Sequence, residues 1–196
     1  IANAGSDQIV AASNLSGANI TLNGAASNAP DGDLITYSWT WTGGSAIGVT
    51  PTVSMGIGTT TVTLVVNDGK VNSAPDTVNI VVNPAVVSVD IDPETLNVPS
   101  SGRWITAYVD FGNFDYTGLL TSDVTLAEDV HGSAEVVASV IEVSTNSAYD
   151  LSFKFDRSDL ADTLGLVSGD DKIVTLVLED SGGAFIGNDS IRAIYR

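Results

Sequence analysis

The chain has no cysteine, one histidine and one methionine, and it sets only 7 basic residues against 24 acidic ones in a length of 196. Each shortage removes a class of function. Without cysteine there is no disulfide scaffold, no thiolate metal site and no cysteine nucleophile. A single histidine rules out zinc held by several imidazoles. A formal net charge of −17 argues against nucleic acid, because phosphate contacts need a basic surface. No stretch approaches the ~18 consecutive apolar residues of a spanning helix, so no membrane insertion is expected. No signal peptide is visible and the first residue is Ile1, so the sequence reads as a processed product or an excised fragment. The missing thiols suit an oxidising exterior, where a free cysteine is a liability.

What is present is β-branched. Valine contributes 24 residues, isoleucine 14 and threonine 19. Such side chains sit well on a pleated strand and are crowded in a helix. The expected class is all-β, and the length suits two sandwiches of roughly 100 residues each.

In the first half, apolar residues recur with period two. Val62, Leu64 and Val66 share one face while Thr61 and Thr63 look the other way. Val78, Ile80 and Val82 repeat the pattern, as do Ala18, Ile20 and Leu22. Turn signals separate these runs: Asn23-Gly24, Pro30-Asp31-Gly32-Asp33, Gly43-Gly44 and Asn67-Asp68-Gly69. Tyr37, Trp39 and Trp41 fall at i, i+2 and i+4, on one face of a strand. That face is either core or a platform for stacking sugar rings. Trp39 is read as core, and Trp41, next to Gly43-Gly44, as a rim residue open to carbohydrate.

The order of motifs carries a resemblance. Ala2-Asn3-Ala4-Gly5-x-Asp7-Gln8 is followed by Leu22-Asn23-Gly24-Ala25-Ala26-Ser27, Pro30-Asp31-Gly32-Asp33 and Tyr37-Ser38-Trp39. Val62-Thr63-Leu64-Val65-Val66-Asn67-Asp68-Gly69 and Asp76-Thr77-Val78-Asn79-Ile80 complete the series. This half resembles a PKD-type (polycystic-kidney-disease) domain, which implies an immunoglobulin-like sandwich over residues 1–83. The usual Trp-Asp-Phe-Gly-Asp-Gly run is replaced by Trp39-Thr40-Trp41-Thr42-Gly43-Gly44. Some relatives bind calcium, and the resemblance then points to Asn3, Asp31, Asp33 and Asp68 as oxygen ligands. Calcium takes six to eight oxygens, and Ala29 stands where one expected carboxylate would be. Calcium is the one cofactor the sequence raises.

Asn83-Pro84-Ala85 divides the halves, with a second domain expected over 84–196. Residues 1–84 hold 5 acidic and 1 basic residue, against 19 and 6 in residues 85–196, so net charges are −4 and −13. The acids of the second half are scattered singly and in pairs, as expected for a solvated surface suited to a saline setting. Strands are expected at Val86–Ile91, Arg103–Phe111, Asp123–Leu126, Glu135–Val143, Asp150–Phe155, Lys172–Glu179 and Ser190–Tyr195. Ser158 followed by Asp159, with Leu160 and Leu164 one turn apart, predicts one short helix over 158–164. Val89-Asp90-Ile91-Asp92-Pro93-Glu94-Thr95-Leu96-Asn97, Gly102-Arg103-Trp104-Ile105-Thr106-Ala107-Tyr108-Val109, Asp150-Leu151-Ser152-Phe153-Lys154-Phe155 and Gly187-Asn188-Asp189-Ser190-Ile191-Arg192 resemble a β-sandwich module from the C-terminal ends of secreted and surface proteins of bacteria and archaea. Relatives carry an aspartate- and glycine-rich loop before the Asp-Leu-x-x-Lys-Phe strand. Here it reads Glu142-Val143-Ser144-Thr145-Asn146-Ser147-Ala148-Tyr149-Asp150, with most of those residues replaced.

Catalytic signals are missing. His131 is the only imidazole, in a polar stretch with no nucleophile elbow. With 24 acids some carboxylate pair always lies close, so proximity alone says nothing about glycoside hydrolysis. No catalytic residue is assigned and the chain is not expected to be an enzyme. The expectation is a structural or adhesive module of an extracellular or cell-surface assembly, a surface layer, stalk or filament subunit. Its partners would be other copies of itself or surface proteins. The alternative is an accessory region of a secreted hydrolase, either a spacer or a module binding polysaccharide through Trp41, Trp104 or Tyr108.

Overall fold

The structure is a computed structural model. It describes residues 1–92, 95–97, 104–119, 124–130, 133–139, 142–144, 150–156, 169, 171–180 and 182–194. The chain divides into two compact units, Ile1–Pro84 and Ala85–Arg196.

The first unit has seven strands: β1 (Gln8–Ala11), β2 (Ala18–Thr21), β3 (Thr36–Trp41), β4 (Gly44–Ile47), β5 (Thr52–Met55), β6 (Gly58–Asn67) and β7 (Asp76–Asn83). A five-stranded sheet runs β1-β7-β6-β3-β4, and β2 pairs with β5 in a second sheet. β1 joins β7 in parallel, while the other pairs are antiparallel. This is an immunoglobulin-like sandwich. The period-two pattern sets its core: Val62, Leu64, Val66, Val78, Ile80 and Val82 of the large sheet are buried, as are Ile20 and Met55 of the small one. Each such side chain contributes roughly 1.5–3 kcal/mol on leaving water. Trp39 lies fully inside, and its indole Nε1 donates to the carbonyl of Gly48 at 2.9 Å. That bond satisfies the one polar atom the ring carries into the core.

Among the described residues the second unit has ten strands: β8 (Ala85–Val86), β9 (Ser88–Asp92), β10 (Thr95–Asn97), β11 (Trp104–Asp110), β12 (Val124–Val130), β13 (Ser133–Ser139), β14 (Glu142–Ser144), β15 (Leu151–Asp156), β16 (Asp171–Asp180) and β17 (Phe185–Ile194). One sheet runs β10-β17-β16-β12-β13 with β8 also on β17, and the other runs β14-β15-β11-β9. Ile91, Ile105, Ala107, Val109, Phe153, Phe155 and Phe185 are buried. Phe111 lies 4.6 Å from Tyr116 and meets the edge of Phe185 at 5.0 Å, which closes this core with aromatic contacts.

Several expected boundaries are corrected. The strand expected at Val86–Ile91 is two: β8 pairs with Phe185 and Ile186 of β17, then the chain crosses to the other sheet as β9 and pairs with β11. Gly187 is where this crossing happens. A Cβ there would overlap Val89 Cγ2 and stand 2.9 Å from the carbonyl oxygen of Val87, so only glycine lets the two strands approach. The run expected at Glu135–Val143 also serves two sheets, as β13 and β14. β12 extends past Leu126 to Val130, paired with β16 as far as Glu128 and with β13 as far as Val130, across a register shift at Leu126/Ala127. β17 starts at Phe185 and not at Ser190, since Asp180 organises the turn before it. The expected helix over 158–164 and His131 lie outside the described residues.

Candidate functional site

At one end of the first unit, two turns meet. Gly32, at φ 81°, lets the 30–33 turn close, and Asp31 and Asp33 flank it. From the 67–71 turn, Lys70 reaches back, its ammonium 3.5 Å from Asp31 Oδ2 and in a shorter bond with Asp33 Oδ2. The Asp33 and Asp31 carboxylates hold the Lys70 ammonium above its ordinary range. Asp68 is turned to its own loop: Oδ1 accepts from the backbone N–H of Val71 at 2.8 Å and of Lys70 at 2.9 Å. Those two donors hold its carboxyl below 3.8. Asn3 works elsewhere. Its Oδ1 accepts from Gly5 N at 3.0 Å, and its own N–H donates to Ser27 Oγ at 2.9 Å.

Of the four candidate ligands, therefore, Asp31 and Asp33 are brought together by a cation the chain itself supplies. Among the described residues, no three His, Cys, Asp or Glu side chains gather as a metal would require. Lys70 has no place in the sequence-based candidates. The available signal was that it is the only basic residue in the first 84.

The aromatic candidates separate. Trp41, half-buried on β3, lies against Gly44 of β4, its partner in the β3–β4 register. A Cβ at Gly44 would come 2.7 Å from the indole Cε2, so the missing side chain is what lets the ring lie on the backbone. Tyr37 is half-buried beside Gly24. Trp104 and Tyr108 belong to the second unit. Trp104 opens β11 opposite Asp156, and Tyr108 sits half-buried between Asp90 of β9 and Ser152 of β15.

Around the end of β4 lies a groove of about 760 Å³. Ile35, Ile47, Val49 and Val65 line it with Thr36, Ser38, Asn67 and Asn72. Asn67 and Asn72 are locked together by an Nδ2 to Oδ1 bond of 2.7 Å. No charged side chain lines the groove.

The outward surface of the five-stranded sheet shares this neutrality. On β6 it presents Thr59, Thr61, Thr63 and Val65, and beside them Thr40 and Ser38 of β3 and Thr77, Asn79 and Val81 of β7. Thr61 Oγ1 bonds Asn79 Oδ1 at 2.8 Å. Ile9 of β1 stands next to Val81 at one edge, and Ile47 of β4 next to Ser38 at the other. No Asp, Glu, Lys or Arg occupies an outward position on any of the five strands. In the sequence the threonine alternation signals only strands. The face becomes visible once the strand order is known.

In the second unit several aspartates serve as acceptors for the backbone. Asp150 Oδ2 takes the N–H of Phe111 at 2.8 Å, and Asp189 Oδ2 that of Ile91 at 2.8 Å. Asp180, itself buried, takes Phe185 N at 2.9 Å and Gly182 N at 3.0 Å. The Thr117 hydroxyl and backbone N–H hold the Asp115 carboxyl below 3.8.

No family model and no curated protein matches this chain. Among solved structures, it is similar to the Dpr2 Ig1–Ig2 fragment in complex with DIP-Theta Ig1–Ig3, at 13% identity and a TM-score of 0.35, over 98% of this chain and 62% of the other. It is similar to SGBP-B of the Bacteroides ovatus mixed-linkage glucan utilization locus, in complex with a mixed-linkage heptasaccharide, at 14% and 0.31, over 94% and 42%. The adhesin InvE of Yersinia pseudotuberculosis is a third, at 18% and 0.33, over 95% and 56%. This chain thus spans less than two thirds of each of these structures, and the scores are too low to carry their functions across.

Proposed function

We propose that the chain is a non-catalytic structural or adhesive module of an extracellular or cell-surface assembly, a surface layer, stalk or filament subunit whose first unit is a PKD-type sandwich. The observation that carries this reading is the contrast within the first unit between a wide, uncharged outward sheet face and loop ends where acids are tied to backbone or to Lys70. Such a surface can meet another neutral surface without desolvating a charge. The reading gains support from the 760 Å³ groove, whose lining holds no titratable group except Tyr37 and so offers no acid–base pair for catalysis. Among the described residues, no helix is long and apolar enough to cross a membrane.

The test is display of the full chain on beads, with clustering scored by light scattering and retention scored on several polysaccharides by affinity electrophoresis. Clustering or retention is expected. Beads that stay dispersed and bind no polysaccharide would remove the reading, and hydrolysis of a polysaccharide by the chain would replace it with a catalytic one.

A second reading rests on Trp41, whose half-exposed indole lies flat on Gly44 in the manner of a sugar-stacking platform. It makes the chain an accessory, polysaccharide-binding region of a secreted hydrolase. Retention abolished by Trp41→Ala would favour it, and retention unchanged by that substitution would count against it.

A further inference from the structure

We infer that the outward face of the β1-β7-β6-β3-β4 sheet is a self-complementary surface that receives a second copy of this chain. The inference rests on the adhesive reading above and names the surface and the partner.

Charge comes first. Each copy carries −17, so most of its surface repels another copy. The strands of the five-stranded face present no charged side chain outward, and Asp7, the acid that stands beside the face just before β1, is tied to the backbone N–H of Asn79 at 2.8 Å, so two copies meeting across the strands bring few like charges into contact. Apolar positions come second. Ile9 is 73% exposed and Ile47 is 83% exposed, and they are the large apolar side chains at the two edges of the face. Neutral polysaccharide hydroxyls gain little from such residues, whereas another protein face does.

The register then supplies the symmetry. Ile9 lies in the row of Val81 and Thr59, and Ile47 in the row of Ser38 and Val65. Ile9 is two strands from the central β6 on one side, and Ile47 is two strands from it on the other. Along β6 the two rows are equidistant from a point between Thr61 and Thr63. With strands ~4.8 Å apart and a rise of ~3.4 Å per residue, the two isoleucines lie about 28 Å apart on a diagonal through that point. A two-fold axis lying in the interface and perpendicular to the diagonal places Ile9 of each copy on Ile47 of the other. This is the isologous contact a closed dimer requires. The diagonal runs at about 45° to the strands, so the two sheets cross near 90°, one of the two packings open to sheets.

The same spacings give a face on the order of 400–500 Å² per copy, well below the ~800 Å² per partner of a standard interface. The contact is therefore weak and concentration-dependent in solution, and gains strength where many copies are held on one surface.

Sedimentation velocity on the full chain, from about 10 μM to about 1 mM, should show a monomer–dimer equilibrium. Association should strengthen as salt rises, because the screened repulsion lies outside the contact. Thr61→Glu and Thr61→Lys should each weaken association at least tenfold, since a charge near the axis meets its own copy. An equal mixture of the two variants should recover it. Thr63→Glu and Thr63→Lys repeat the test at the neighbouring position. A chain that stays monomeric through 1 mM overturns the inference. So does a dimer indifferent to all four substitutions, or one that the mixture fails to restore. Bead clustering or polysaccharide retention that persists in those cases leaves the adhesive reading standing with another surface, whereas loss of all binding removes both.

Discussion

Asp180 places an acid in the core of the second unit, and removing it should be costly in a way that can be calculated. The side chain is 6% exposed at the end of β16, opposite Val124 of β12. Its Oδ1 accepts from the N–H of Phe185 at 2.9 Å in a buried bond, and its Oδ2 accepts from Gly182 N at 3.0 Å in a partly buried one. Phe185 is fully buried against Phe111 and Phe114, so water cannot replace the carboxylate on its N–H. A hydrogen bond to a charged acceptor is worth roughly 1.5–3 kcal/mol, and the partly buried one contributes less, about 1 kcal/mol. Asp180→Ala should thus cost about 3 kcal/mol and lower the melting temperature of the second unit by about 10–15 °C. Asp180→Asn keeps one acceptor and should cost about half as much. Differential scanning calorimetry of both variants is the assay. A shift below about 2 °C for alanine, or an asparagine variant as damaged as the alanine one, would refute the view that Asp180 holds the β16–β17 turn by accepting both bonds.

Other perturbations follow from the same geometry. Gly187→Ala forces a Cβ against Val87 and Val89 where β9 crosses β17, and should destabilise by about 1–3 kcal/mol, measured by urea denaturation. Acid should weaken the fold through Asp68 and Asp115. Both carboxyls are held below 3.8, so their contribution is complete above that value and lost as pH falls through their lowered range. Melting temperature should therefore fall less steeply below about pH 4 in the Asp68→Asn, Asp115→Asn double variant. Lys70 has the opposite sign: its ammonium is held above 10.5, so its contribution is present below that value and lost as pH rises through the raised one. Calcium at Asp31 and Asp33 would have to displace Lys70, so Lys70→Met should raise calcium affinity in isothermal titration. An unchanged isotherm would remove that end of the unit as a cation site.

Much of the first sandwich is legible in the sequence, because period-two burial on β6 and β7 is a local property of the chain. Val62, Leu64 and Val66 point inward for the reason that Thr61 and Thr63 point outward. Trp39 is legible too, since a large ring flanked by alternating polar residues has one dry side. Long-range partners are not. Lys70 meets residues 37 and 39 positions earlier, and nothing local to the 67–71 turn names them. The neutral face needs the strand order, because its residues come from five separate strands. In the second unit the split of Val86–Ile91 between sheets is hidden by its nearly continuous β pattern. Gly187 resembles a loop residue in the sequence, although it is a strand residue that closeness to β9 requires.

The acidity of the chain is in part a device for the backbone rather than a uniform solvation layer. In the first 84 residues all five acids have a structural partner. Asp7 accepts from Asn79 N at 2.8 Å and Asp76 from Ala4 N at 2.8 Å, Asp31 and Asp33 hold Lys70, and Asp68 closes its own turn. These acids sit at strand ends and turns, and that placement is what leaves the sheet face without charge. Simple repulsion at −17 predicts that deleting any one acid stabilises the protein by relieving self-repulsion. The hydrogen bonds predict a division. Asp76→Ala should cost about 1–2 kcal/mol, because the N–H of the buried Ala4 loses a charged acceptor. Asp92→Asn, on an exposed position of β9, should be neutral or slightly stabilising. Equal gains from both substitutions in thermal denaturation would show that repulsion governs the acids, and that backbone hydrogen bonding does not decide where they stand.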